Sequence, residues 1–171
     1  MSELLLGSGN NITKRITFKE IPPDWSDDLV TLDIDPRCHP QVVHDLRNPV
    51  LPFPDNRFDE IHAYEVLEHT GQQGDWKLFF EQFNEFWRVL KPGGWFIATC
   101  PMWDSPWSWS DPGHSRIISK HTLTFLSQKE YEIQIGKTAM TDYRAWYKGD
   151  FELFAAQESE HQVGFVLRAI K

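Results

Sequence analysis

Short apolar runs, many of them ending in glycine or aspartate, recur along this chain. Runs of this kind are typical of buried strands. They predict strands at 3–6, 29–33, 41–44, 58–64 and 95–100. Between the last two, phenylalanines at positions 79, 83 and 86 share one face of a 3.6-residue period, which predicts a helix over 75–90 that Pro92-Gly93-Gly94 stops.

The second half of the chain has weaker patterns. They predict a helix over 120–126, a second helix around 140–147, and a closing antiparallel hairpin of strands at 151–156 and 163–170. Strands that alternate with helices indicate an α/β fold with a mostly parallel sheet. The chain begins almost at its first strand, and Pro22-Pro23 interrupts the next segment, so we expect reduced N-terminal helices in a single domain spanning 1–171.

Composition narrows the class of protein. Hydrophobic residues make up 40% of the chain and charged residues 25%, which predicts a folded, soluble domain. No apolar run approaches the roughly 20 residues that cross a bilayer, and no signal peptide is visible. Cys38 and Cys100 have no disulfide or metal-ligand spacing, which favours a reducing, cytoplasmic location. The seven histidines are scattered, so the sequence predicts no metal site.

The net charge of −8 disfavours a protein that tracks nucleic acid, because phosphate contacts need a basic surface. The longest basic cluster, Lys14-Arg15, is too small for that role.

A binding site for a nucleotide-like ligand is indicated at the end of the first strand. Gly7 and Gly9 allow the backbone to approach a ligand closely, and Asp33, at the end of the second strand, is placed to accept from ribose hydroxyls. A pyrophosphate cofactor needs a helix directly after the glycines. The prolines leave little room for one, so a ligand without phosphates, such as S-adenosylmethionine (SAM), is favoured.

Five motifs follow in order over about residues 4–100: Leu4-Leu5-Leu6-Gly7-Ser8-Gly9, 30–35, His44-Asp45-Leu46 with 51–59, Tyr64-Glu65-Val66-Leu67-Glu68-His69, and 88–94. In these the chain resembles the class I SAM-dependent methyltransferases, especially small members with a Val-Leu-Glu-His segment. The resemblance implies a Rossmann-like sheet, SAM as cofactor, and methyl transfer to a small-molecule or modified-nucleotide acceptor.

The resemblance also assigns roles to cofactor-binding residues. Gly7, Ser8 and Gly9 would lie under the methionine part of SAM. Asp33 would accept from both ribose hydroxyls, with Ile34 on the adenine. The remaining contacts would be Asp45 with the adenine amino group, the Leu46 backbone with a ring nitrogen, and Glu65 with the methionyl or sulfonium end. Asp35, followed by proline, is interpreted as a solvated strand end.

Methyl transfer requires that the acceptor lose a proton, and three side chains are candidates for accepting it. His69 and Glu68 follow the fourth strand, and His114 lies in the loop after the fifth. A neutral imidazole is suited to this task near pH 7. Each of the three also has a purely structural interpretation, as a cap or a loop-stabilising group.

The loop over 101–116 is rich in tryptophan. Trp103, Trp107 and Trp109 would form an aromatic wall or cation cage for the acceptor, or else cover a sheet edge or subunit contact. Arg116 would hold an anionic group of the acceptor.

Alternatives remain open. Leu5 and Asn11 stand where the family has an acidic residue and a third glycine, which favours a SAM-binding regulatory or remnant protein as an alternative. A SAM-cleaving enzyme is another. The sparse N-terminal cover also makes a homodimer plausible. The motifs of DNA-base methyltransferases are absent, which argues against direct methylation of DNA bases.

Overall fold

The computed structural model describes residues 1–17 and 19–171. Its strands in that part of the chain are β1 (Ser2–Leu6), β2 (Asp28–Asp33), β3 (Val42–Val43), β4 (Phe58–Tyr64), β5 (Leu90–Pro101), β6 (Phe151–Glu158) and β7 (Gln162–Ala169). They form one sheet in the order β3-β2-β1-β4-β5-β7-β6. β1 to β5 are parallel, whereas β7 runs antiparallel to β5 and β6. The predicted mostly parallel α/β sheet with a C-terminal hairpin is therefore confirmed.

The helices are α1 (Trp76–Val89), α2 (Trp107–Ser110), α3 (Lys120–Leu123) and α4 (Gln128–Gln134), with short 3-10 helices at Pro36–Cys38, Leu67–His69 and Thr124–Leu126. α1 confirms the predicted helix at 75–90. Its first turn is capped by Asp75, whose side chain accepts from the Leu78 amide at 3.2 Å. In the described residues, none of these helices is both long and apolar enough to cross a bilayer.

One predicted helix is wrong. Residues 140–147 form turns, and a helix lies instead at α4, which was not predicted. Two aromatic residues of this segment pack against α1: Tyr143 and Tyr147 both contact the Phe80 ring. The segment is therefore held by tertiary contacts and not by helical hydrogen bonds of its own.

The larger core lies between the sheet and α1. Phenylalanines on one face of α1 pack on β5, and the rings of Phe86 and Phe96 stack at 4.9 Å between centroids. Each such ring, fully buried, contributes roughly 1.5–3 kcal/mol to folding. This face fixes α1 against β5.

The opposite face of the sheet is covered much more thinly. Its smaller core contains Leu5, Ile21, Tyr64, Ile97 and Val166, with Ile16 and Trp25 packed against it. The covering segment, between β1 and β2, has no helix in its described part. The expectation of reduced helices on the N-terminal side is confirmed.

A buried charge cluster anchors that covering segment to the sheet. Lys14 Nζ lies 2.5 Å from Glu3 Oε1 on β1 and 2.9 Å from Glu60 Oε2 on β4, and all three side chains are almost fully buried. His62 Nε2 lies 2.9 Å from the same Glu60 oxygen, and its Nδ1 accepts from the Tyr64 hydroxyl at 2.7 Å. Burial lowers the pKa of His62 and outweighs the raising effect of Glu60, so the ring is held neutral.

Candidate active site

A cavity of about 480 Å³ opens at the carboxyl ends of β1, β2 and β4. The chain passes from β1 to β2 on one side and β4 lies on the other, so this is the point at which strand order reverses. In open α/β sheets, ligands bind at such a point. The cavity is lined by Gly7, Leu32, Asp33, Ile34, His44, Asp45, Leu46, Arg47, Glu65, Val66, His69, Thr70 and Gly113.

Asp33 is buried at the end of β2, with its carboxylate at the cavity wall. Oδ2 accepts from the Gly9 amide at 2.8 Å and Oδ1 from the Asp35 amide at 2.9 Å. An ionised carboxylate can accept about four hydrogen bonds, so acceptor capacity is left for the two hydroxyls of a ribose. Asp35 points elsewhere: it pairs with Arg37 at 2.7 Å and caps the 3-10 helix that follows β2.

The glycine turn brings backbone to the cavity floor. Gly7 (φ +58°) and Gly9 (φ +52°) are both left-handed, a conformation that strains other residues. At Gly7 a Cβ would stand 2.3 Å from a methyl carbon of Val66, whereas at Gly9 it would meet nothing within 4 Å. Gly7 lines the cavity, while Ser8 is buried beneath it and donates its amide to Leu32 O at 3.2 Å.

These two glycines allow a matched test. We expect Gly7→Ala to lower the free energy of unfolding by about 2–3 kcal/mol, because a clash adds to the strained backbone. Gly9→Ala has only the backbone strain and should cost about 1 kcal/mol. Urea denaturation without ligand measures both. Equal losses would contradict the close approach of Gly7 to Val66.

The second wall of the cavity comes from the segment after β3. Ile34 is exposed at its rim, Leu46 is buried, and Asp45 is paired with Arg47 at 2.8 Å. The Leu46 carbonyl accepts from Gln82 on α1 at 2.8 Å, which fixes this wall to the helix. Arg47 and His44, which the sequence analysis did not single out, also line it.

Glu65 closes the end of β4 in a left-handed conformation (φ +58°), which turns the chain toward the cavity. Its amide donates to Thr99 O at 2.9 Å, and its Oε1 accepts from Gln162 of β7 at 2.7 Å. The antiparallel hairpin therefore positions a carboxylate that the sequence analysis assigned to the methionyl end of SAM.

The structure brings together the three predicted proton acceptors. The rings of His69 and His114 meet edge to face at 4.6 Å, and His114 Nε2 lies 4.0 Å from Glu68 Oε1. His69 lines the cavity, whereas Glu68 is buried behind it. Burial raises the pKa of Glu68 to about 8.

The loop that holds His114 is fixed tightly against this cluster. The amides of Ser115 and Arg116 donate to Glu68 O at 2.9 and 3.2 Å. Gly113 lies so close that a Cβ there would stand 3.0 Å from His69 Nδ1. The arrangement is therefore preorganised before any ligand binds.

The other predicted acceptor-binding residues lie away from this cavity. Trp103, Trp107 and Trp109 are exposed on the loop after β5 and are not among the residues that line it. Arg116 is buried; it donates to Gln82 Oε1 at 2.8 Å and stacks on Phe79. Its contacts hold α1 to the loop, and its predicted role toward an anionic acceptor, like that of the tryptophans, stays a prediction.

The residues present fit SAM. The cavity has the volume of an ordinary small-ligand site, and a buried carboxylate with acceptor capacity left stands where ribose hydroxyls would lie. In the described part of the segment, no helix starts after the glycines, so the turn offers no helix N-terminus for a pyrophosphate.

Comparisons with known proteins agree with this geometry. The family model described as "Methyltransferase domain" matches residues 18–98. No curated protein sequence matches the chain.

Solved structures share the fold at low identity. A SAM-dependent methyltransferase from Archaeoglobus fulgidus is 16% identical with a TM-score of 0.58, covering 98% of this chain and 86% of its own. The N-methyltransferase NodS from Bradyrhizobium japonicum, in complex with S-adenosylhomocysteine, is 13% identical at 0.58, with 99% and 78% covered. The 1,6-didemethyltoxoflavin-N1-methyltransferase from Burkholderia thailandensis is 12% identical at 0.57, with 99% and 71% covered.

The sheet order, the cavity at its switch point and the matching family model lead to one conclusion. The chain is similar to the class I SAM-dependent methyltransferases in fold and, over residues 18–98, in its match to the methyltransferase domain model.

Proposed function

We propose that this protein is a SAM-dependent methyltransferase that transfers the methyl group of SAM to a small-molecule acceptor, nucleotide-like compounds included, and that the acceptor's proton leaves through the cluster of Glu68, His69 and His114. The observation that supports this most directly is the position of His69. Its side chain lines the cofactor cavity on one side and contacts His114 on the other.

When bound, SAM supplies an activated methyl group, so the protein has to position the acceptor and take up one proton. Asp33 and Glu65 both line the cofactor cavity and would fix the ribose and the methionyl end. His69 would then face the nucleophilic atom, and an imidazole is suited to exchange a proton near neutral pH.

The class of acceptor is supported by charge and by two structural neighbours. A net charge of −8 is unfavourable for binding a polyanion such as RNA. The Burkholderia enzyme holds bound 1,6-didemethyltoxoflavin, a small molecule, and NodS is an N-methyltransferase. A cytoplasmic location and a homodimer stay predictions from the sequence.

A second candidate is a SAM-binding protein without transfer activity. Leu5 favours it, because this side chain is buried in the smaller core at the place where the family has an acidic residue. No carboxylate is then available from β1 at that position for the amino group of the methionine.

The test is formation of S-adenosylhomocysteine with a panel of small hydroxyl, amine and heteroaromatic acceptors. We expect turnover in the wild type and about 100-fold lower kcat in His69→Gln, since loss of a general base costs about 10²–10⁴. His161→Gln, at an exposed histidine, is the matched control. SAM binding without product across the panel would favour the second candidate. Full kcat in His69→Gln would remove the proposed proton acceptor.

A further inference from the structure

The cluster of Glu68, His69 and His114 has the composition of a metal site. One ligand atom from each residue lies within 4.8 Å of the other two. Two imidazoles and one carboxylate form a common ligand set for Zn²⁺ and for non-haem Fe²⁺, with coordination positions left open for a further ligand.

A second, independent observation is that polar atoms here are buried without partners. Neither carboxylate oxygen of Glu68, a residue that is 2% exposed, accepts a hydrogen bond from a nitrogen or hydroxyl donor among the described residues, and His114 Nδ1 has no partner among them. The Cys100 thiol hydrogen-bonds Glu68 and lowers the pKa of this carboxyl, against the larger raising effect of burial, but a thiol is only a weak donor. Leaving such groups unpaired is costly, and each such group in a native protein needs an explanation.

The surrounding charge has the sign that attracts a cation. Asp111 Oδ2 lies 3.9 Å from His114 Nε2, and the charge of Glu65 contributes to raising the pKa of Glu68. In the part of the chain that the structure describes, neither Glu68 nor Asp111 pairs with a lysine or an arginine. The nearby carboxylates would therefore favour a cation, and Glu68 would lose its proton on binding one.

The buried group of Glu3, Glu60 and His62 shows what a compensated cluster looks like. It contains two carboxylates and one imidazole, where the Glu68 cluster has one carboxylate and two imidazoles, and its ligand atoms likewise lie within 4.8 Å of one another. Glu60 Oε1 there has no hydrogen-bond partner among the described residues. There, however, Lys14 Nζ lies between the carboxylates and supplies the cation. The comparison indicates that the Glu68 cluster lacks a cation of the kind that Lys14 supplies to its counterpart.

We propose that Glu68, His69 and His114 bind a divalent transition-metal cation of the zinc type at the wall of the cofactor cavity. Its binding does not depend on the proposed function. Its role does: an ion there would face the acceptor through the side that His69 and Gly113 line, and would bind an acceptor oxygen or nitrogen and lower its pKa. With the ion bound, the two imidazoles would act as ligands, and the acceptor's proton would pass to solvent water.

The geometry requires a small closure. In a tetrahedral site with bonds of about 2.1 Å, ligand atoms stand about 3.4 Å apart. The present separations of up to 4.8 Å must therefore shrink to about 3.4 Å. His69 is exposed and can rotate to do this, while Glu68 and the loop around His114 are already held by backbone hydrogen bonds.

Metal-free protein titrated with ZnCl₂ in a calorimeter tests the proposal, and visible absorption with CoCl₂ adds a spectroscopic signature of the ligand set. We expect one ion per chain. Affinity should fall at least tenfold in Glu68→Gln and in His114→Gln, with loss of the Co²⁺ absorption. The matched control is Glu160→Gln with His161→Gln, because these exposed residues form a Glu–His pair at the same 4.0 Å separation.

The outcomes separate this site from the proposed function because SAM binding is measured on the same samples. Wild-type protein that binds SAM but no Zn²⁺ would overturn the metal site alone. Zn²⁺ binding that is equal in the wild type and both cluster variants, or that is lost only in the control, would also overturn it. His114→Gln, in a surface loop, keeps the test valid if Glu68→Gln fails to fold.

Discussion

Replacing Asp33 with alanine is expected to weaken SAM binding by at least 100-fold. The carboxylate would accept from two ribose hydroxyls, and hydrogen bonds to a charged group contribute about 1.5–3 kcal/mol each. The variant also removes the acceptor for the Gly9 amide, which holds the glycine turn at the cavity floor. Calorimetric titration with SAM measures the loss.

Asp35→Ala is the matched control for this prediction. Asp35 lies two residues further along the same strand end, and its carboxylate is paired with exposed Arg37 outside the cavity lining. Its replacement should leave the Kd for SAM within about twofold, as expected for a surface change. Asp33→Asn keeps the shape of the side chain and removes its charge. Its Kd for SAM should lie between those of Asp33→Ala and Asp35→Ala. If Asp33→Ala and Asp35→Ala bind SAM equally, Asp33 is not the ribose ligand.

The second large effect concerns stability. Lys14→Met is expected to lower the free energy of unfolding by about 3–5 kcal/mol, because it leaves the buried carboxylates of Glu3 and Glu60 without their cation. Methionine keeps most of the volume of lysine, so the loss reports charge more than packing. Urea denaturation at pH 7 measures it.

Lys91→Met provides the comparison at a surface ion pair. Lys91 Nζ lies 2.8 Å from Asp59, but both side chains are more than a third exposed, and such pairs contribute about 0–1 kcal/mol. Adding Glu3→Gln and Glu60→Gln to Lys14→Met should recover part of the lost stability. Equal losses for the two lysine variants would show that the buried cluster is not what anchors the segment.

The regular part of the fold was predictable because its signals are local. β4 coincides with the predicted strand at 58–64, and α1 with its phenylalanine stripe. α4 also had a local signal that was overlooked: Ser127 caps the helix by accepting from the Glu130 amide. At 140–147 the Asp142 side chain also accepts from a following amide, that of Arg144, but a turn and not a helix follows, and Tyr143 and Tyr147 pack on α1.

Only those site residues that belong to a local motif at a strand end could be predicted from the sequence. Asp33 and Gly7 stand at strand ends, where the topology alone brings them together. The contact between His69 and His114 depends on how a loop after β5 folds back onto the 3-10 helix at Leu67–His69, and Gly113 allows that approach. No residue spacing encodes such a contact. The pairing of Lys14 with two strands was equally hidden, because its segment has no repeating pattern.

The covering segment between β1 and β2 has a further consequence, for local opening. In its described part it has no helical hydrogen bonds, and much of its attachment comes from Lys14 and from apolar residues such as Ile21 and Trp25. Opening of this segment should cost less free energy than global unfolding, so its amide hydrogens should exchange with solvent before those of β1. The segment begins at Gly9, whose amide is bound to Asp33. A cofactor held by Asp33 would therefore also slow exchange on the far face of the sheet, in residues that it never touches.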